Sequence, residues 1–172
     1  FQYAGGNFDG RLWGQLNFMN GLASLSLGSS ANDAAVDLHF GNGPWHIDAG
    51  KQEGPRIQGH FLFSDADMYV MLSDQGLAIG GGTSVDLDVG DSSVASAYVK
   101  GSVDAGVAIT PQPHIEGDFS ANASAGACVD SVCVSDWVSA QFHAEALPVD
   151  IDASASLGLP WPLGSVSFSV HM

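Results

Sequence analysis

The chain has 172 residues, with 4 Lys+Arg against 19 Asp+Glu and a formal net charge of -15 at pH 7. A surface of that sign repels phosphate backbones and anionic lipid headgroups, which speaks against nucleic acid as a partner and against membrane insertion. Charged residues make up only 13% and hydrophobic ones 45%, so the acidity comes from scarce bases in a folded chain, long enough for one domain that buries about 70% of its unfolded surface.

The acids are almost all Asp; only Glu53, Glu116 and Glu145 are glutamates. With Gly, Ser and Val abundant, this composition disfavours helix and fits strands and turns. No window approaches the roughly 18 apolar residues of a membrane helix, and no basic-then-apolar leader opens the chain. It begins at Phe1, which suits a processed chain or a piece of a longer one.

In the first third, short strands are expected from Leu12 to Phe18, Leu22 to Leu27 and Val36 to Phe40, separated by Asn-Gly, Gly-Ser-Ser and Gly-Asn-Gly turns. Trp45, Ile47 and Ala49 are expected to pair back on Ile57, Gly59 and Phe61. From His60 to Leu72 apolar residues fall on both parities, the pattern of one central strand buried on both faces. Asp65 and Asp67 within it mark a bulge or a polar site. A turn at Ser73-Asp74-Gln75-Gly76 then leads back through Leu77, Ile79, Val85, Leu87 and Val89, past a Gly80-Gly81-Gly82 run that reads as a strand irregularity or a close backbone contact.

Beyond this point the alternation is regular. Ala95 to Ile109 forms a long strand, joined through Pro111-Gln112-Pro113 to a second whose apolar parity is Ile115, Gly117, Phe119, Ala121, Ala123, Ala125, Ala127 and Val129. After a break at Asp130 and Ser131, Val132, Val134, Val138, Ala140, Phe142, Ala144 and Ala146 share one face. A hairpin closed by residues 129–132 sets Cys128 against Cys133, Ala127 against Val134 and Phe119 against Phe142 in one register. Leu147-Pro148 connects to a strand carrying Val149, Ile151, Ala153, Ala155 and Leu157. Pro160-Trp161-Pro162 turns the chain into the last, with Val166, Phe168, Val170 and Met172 on one face. The match of Pro55-Arg-Ile57-Gln-Gly59-His-Phe61 to Pro113-His-Ile115-Glu-Gly117-Asp-Phe119 suggests two related strand groups, about 36–92 and 93–172, within a single domain of residues 1–172.

The fold class expected is therefore all-β: an antiparallel up-and-down meander of long strands, arranged as stacked sheets or a sandwich, with a closed β-barrel as the alternative. Small Ala and Gly residues on the apolar face favour stacking, because they let another layer approach closely.

Four sets of residues bear on chemistry. Cys128 and Cys133, the two cysteines, are expected to form a structural disulfide, which places the protein in a secreted or cell-surface setting. The pairs Asp65 and Asp67, Asp86 and Asp88, and Asp150 and Asp152 each put two carboxylates on one strand face, where they serve as solubilising charge or as calcium ligands. No calcium-loop pattern accompanies them, and no other cofactor is implied. The six histidines show no metal or catalytic spacing, and His143 opposite Asp118 reads as a surface ion pair. Trp137, on the polar parity of its strand, is a candidate binding platform.

With no catalytic constellation, the chain reads as a non-enzymatic structural or self-assembling module of an extracellular fibre, surface layer or secreted assembly. Its expected partners are copies of itself or other protein subunits, associating by sheet stacking or at the edge of the final strand. The alternatives are a secreted β-sheet module for carbohydrate or a small apolar ligand, and an outer-membrane β-barrel.

Overall fold

The computed structural model describes residues 1–91, 94–111, 114–130, 132–146, 149–158 and 164–172. Fourteen strands span β1 (Gln2–Ala4), β2 (Asn7–Leu12), β3 (Gln15–Phe18), β4 (Ala23–Ser26), β5 (Val36–Phe40), β6 (His46–Ala49), β7 (Ile57–Phe61), β8 (Ser64–Ser73), β9 (Gly76–Asp91), β10 (Ala95–Thr110), β11 (His114–Val129), β12 (Val132–Ala146), β13 (Asp150–Gly158) and β14 (Ser165–His171). Two single 3-10 turns, Met19–Gly21 and Ala31–Asp33, are the only helical segments among the described residues. All the strands belong to one antiparallel sheet, and it is not closed into a barrel.

From β8 to β14 the sheet is an up-and-down meander in which each strand pairs with the next. Its register follows from the alternation, because a slip of one residue would carry every apolar side chain to the opposite face. Pairing Phe119 with Phe142, Ala127 with Val134 and Cys128 with Cys133 keeps every Ala, Val and Phe of β11 and β12 on one side. Val129 pairs with Val132 at the end of this hairpin, and Asp130 in the loop takes a positive φ of 47°, a conformation Asp tolerates better than most residues.

The N-terminal third departs from the meander. One side of β8 is shared end to end by two strands: Ser64 to Met68 pair with β7, and Val70 to Ser73 pair with β6. The sheet therefore forks into an arm of β7, β4 and β3 and an arm of β6, β5, β2 and β1. A backbone bond bridges the arms, from Ala35 N–H to the Leu27 carbonyl at 2.7 Å, and Gly50 N–H donates to the Ala35 carbonyl at 2.6 Å, extending the pairing of β5 with β6. Here lie Ala34, Ala35, Asp48, Gly50 and Tyr69, which with Gly10, Cys128 and Gly158 are the buried residues among those described.

This architecture corrects several expectations. The chain contributes a single layer, so neither the sandwich nor the barrel forms within it. His60 to Leu72 is not one strand: Leu62, at φ 55°, lies in a turn between β7 and β8. Nor is β8 covered on both sides, since Met68 and Leu72 are exposed opposite buried Tyr69; its apolar residues of both parities belong to one strand with one face open. Ile47 and Ala49 pair with Leu72 and Val70 instead of β7. The segment from Leu12 to Phe18 breaks at Trp13 and Gly14. Gln112, Pro113, Ser131, Leu147, Pro148, Pro160, Trp161 and Pro162 lie outside the described residues.

Candidate functional site: two unlike faces of one sheet

The registers sort every side chain from β8 to β14 onto one of two faces. On the apolar face, strand by strand, Met68, Gly81, Ala105, Phe119, Phe142, Ala153 and Val170 stand in one file, and Ala66, Thr83, Val103, Ala121, Ala140, Ala155 and Phe168 in the next. The large members of these files are exposed, including Phe119 at 40%, Phe142 at 44% and Phe168 at 61%. Between them Gly101, Ala121, Ala123 and Ala140 form the floor of a shallow apolar hollow of about 380 Å³, with Thr83, Val85, Val103 and Val138 around it. The chain exposes 11042 Å², about 3,100 Å² more than the roughly 7,900 Å² of a compact monomer of this mass.

The opposite face carries most of the charge. Three aromatic side chains on it lie flat over glycines of the neighbouring strand. Tyr69 covers Gly80 and reaches Gly106, Tyr98 covers Gly126, and Trp137 covers Gly158 so closely that no Cβ fits there. Gly80 in the triple-glycine run is thus the bed of an aromatic ring, and the reading of a close contact holds there. Arg56 sits over the Tyr69 ring at 5.0 Å and donates to Asp67 Oδ1 at 2.7 Å and Asp104 Oδ2 at 2.6 Å. Trp137 remains 43% exposed, yet the face of its ring is spent on Gly158.

Next to Tyr69 the same polar file continues as Asp118, His143, Asp152 and His171, one residue from each of β11 to β14, in directly opposed positions. His143 Nδ1–H donates to Asp118 Oδ1 at 2.7 Å, as the sequence led us to expect, and His171 Nδ1–H donates to Asp152 Oδ1 at 2.6 Å. Both imidazoles are held above the usual histidine range, first by these hydrogen bonds and then by the surrounding carboxylates. The adjoining file is Glu116, Glu145 and Asp150, three carboxylates facing one another, with His114 beside them at 3.1 Å from Glu145 Oε1 and 3.7 Å from Glu116 Oε2. A cavity of about 420 Å³ opens over the first of these files, bounded by Asp118, His143, Asp152 and His171 with Gln141 and Ser154.

The three Asp pairs have different surroundings. Asp65 is bound to His60 at 2.6 Å and Asp67 to Arg56; Asp86 is bound to Lys100 at 2.9 Å, and Asp88 stands opposite Tyr98. Of the three pairs, only in Asp150 and Asp152 do both carboxylates approach one histidine, at 3.5 and 2.6 Å from His171 Nδ1. A second polar cluster was invisible in the sequence. Asp37 and Asp48 oppose each other across β5 and β6, with Lys51 at 3.0 Å and Arg11 at 3.3 Å from Asp37, and His46 3.9 Å from each carboxylate. Burial works to raise the Asp37 carboxyl, but Lys51 and Arg11 outweigh it and hold it below the usual range, whereas burial dominates at Asp48 and pushes it up. Cys128 and Cys133 form the expected disulfide.

No helix among the described residues is long and apolar enough to cross a membrane. No protein-family model, curated protein or solved structure matches the chain.

Proposed function

We propose that the chain is a non-enzymatic structural module that associates with a second copy, apolar face to apolar face, closing the two layers of a sandwich. The observation that carries this reading is the uncovered apolar face of β8 to β14. The whole chain exposes about 3,100 Å² more than a compact monomer of its mass, so two copies together have about 6,200 Å² to cover, enough to supply an obligate interface of 2,000–5,000 Å² or more. The Ala and Gly floor beside rows of Phe and Val provides the alternation of small and large side chains by which two sheets interdigitate about 10 Å apart. The charged face stays in water, so stacking stops at two layers, and growth into a fibre would have to proceed through the edges. The disulfide supports a secreted or cell-surface location.

Light scattering coupled to size exclusion, without detergent, tests this reading. A dimer is expected for the native chain. A monomer that keeps its β-sheet circular dichroism is expected for the double variant Ala121→Glu, Ala140→Glu, which places charge on the floor of the hollow. A monomeric native chain would overturn the reading.

The apolar hollow of about 380 Å³ favours a second reading, a site for a small apolar ligand. In that case a monomeric chain binds an environment-sensitive apolar dye at one site, and Ala121→Glu abolishes the binding. The outer-membrane reading is less well supported: β9 to β11 have 16 residues each, against the roughly 9–11 that a membrane strand uses. Asp136 also stands in the apolar parity of β12.

A further inference from the structure

We infer that the polar face at β11 to β14 is a binding site for divalent transition-metal ions of the zinc type, held by Asp150, Asp152 and His171 and, one strand pair away, by Glu116, Asp118 and His143. In each set the candidate ligand atoms lie within 4.8 Å of one another. The local backbone dictates this arrangement. Residues two apart on a strand point the same way, so Asp150 and Asp152 share a face, as do Glu116 and Asp118. Antiparallel register then sets His171 opposite Asp152 and His143 opposite Asp118.

Electrostatics gives the reason for an ion. Five carboxylates, Glu116, Asp118, Glu145, Asp150 and Asp152, stand on three neighbouring strands, with Glu116, Glu145 and Asp150 directly opposed, an arrangement of like charges that destabilises a sheet. The cationic partners that face them are His114, His143 and His171. Arg56, at the border, is already shared by Asp67 and Asp104. Protonating all three imidazoles would still leave the group negative. Asp150 Oδ1 has no hydrogen-bond partner and faces His171 Nδ1 at 3.5 Å, on a side chain that is 41% exposed.

The donor set selects the metal. Calcium takes six to eight oxygens, whereas two carboxylates and an imidazole suit a smaller borderline ion such as Zn²⁺, which leaves a position open for water. The cavity over Asp118, His143, Asp152 and His171 gives an ion direct access.

The test is a calorimetric titration of the intact, disulfide-bonded chain with ZnCl2 and, separately, with CaCl2 in a non-chelating buffer near neutral pH. Zn²⁺ is expected to bind and to be undisturbed by equal Ca²⁺. His171→Gln and His143→Gln should each weaken one centre by more than about 10-fold, while His60→Gln, which belongs to neither three-residue set, should change nothing. Circular dichroism of each variant reports the fold. No Zn²⁺ binding, or binding unchanged in both His171→Gln and His143→Gln, overturns the inference, as does tighter binding of Ca²⁺ than of Zn²⁺. Because these residues lie on the face away from the proposed stacking surface, the outcome is separable from the oligomeric state.

Discussion

Replacing Phe142 by Ala asks directly whether the apolar face is covered in solution. A buried phenylalanine costs about 3–5 kcal/mol when cut back to alanine, because transfer and cavity terms add. In the lone sheet Phe142 is already 44% exposed, so only about half of the transfer term is at stake and no closed cavity is left. The cost should then be about 1–2 kcal/mol. Against the face of a second copy the same side chain is enclosed and the full cost returns. The assay is urea unfolding followed by circular dichroism, for the native chain and the variant, at two protein concentrations 100-fold apart on either side of the association midpoint. For the native dimer, mass action adds about 1.4 kcal/mol between concentrations ten-fold below and ten-fold above the midpoint. The loss in Phe142→Ala should grow from the lower figure towards the upper. Tyr69→Ala is the control: Tyr69 is 3% exposed on the other face, so its cost of about 3–5 kcal/mol should not depend on concentration. A Phe142→Ala cost of about 1–2 kcal/mol at both concentrations, with a constant native midpoint, would refute the reasoning.

Two further outcomes are expected. Replacing Cys128 and Cys133 by Ala opens a loop between residues only five apart and should lower stability by about 2 kcal/mol through the unfolded chain. Since the pair lies on the polar face, light scattering should show an unchanged oligomeric state. Asp37, held below the usual carboxylate range by Lys51 and Arg11 against the raising effect of its burial, contributes stability that is present above its unfolded value near pH 4 and is lost as the pH falls through its folded one. Unfolding midpoints of native chain and Asp37→Asn should therefore converge on acidification from pH 5 to pH 3, and parallel curves would contradict this.

The period-two pattern was sufficient for β9 to β14 because local alternation and sheet register carry the same information there. Pairing Phe119 with Phe142 satisfies every other pair in the hairpin. It was insufficient at β7 and β8, where Leu62 turns the chain without Gly, Pro or Asn to mark it, and at β6, whose partner β8 is set by the fork. That β8 serves two strands end to end is a tertiary arrangement with no local signal. The candidate metal site was legible in halves: Asp150 and Asp152 share a strand face by spacing alone, and His143 opposite Asp118 follows from the hairpin. What joins His171 to Asp152 is the register of β13 with β14, and the turn between those strands offered no way to count it. Likewise Asp37 and Asp48 meet only because β5 and β6 pair, and the glycine beds of Tyr69, Tyr98 and Trp137 become visible only once strands are set side by side.

The meander from β8 to β14 makes the hairpin a unit of growth. Each strand pairs with its sequence neighbour, so each hairpin brings its own partners, and closing it costs only short-loop entropy. Insertion or loss of two strands together widens or narrows the sheet by about 10 Å and leaves every remaining side chain on its original face. Removal of a single strand reverses the chain direction of all that follow. Duplication of hairpins is thus a mutational step this architecture accommodates, while a one-strand deletion is not. The fork at β8, where partners come from distant parts of the chain, has no such freedom and fixes one side of an otherwise extensible surface.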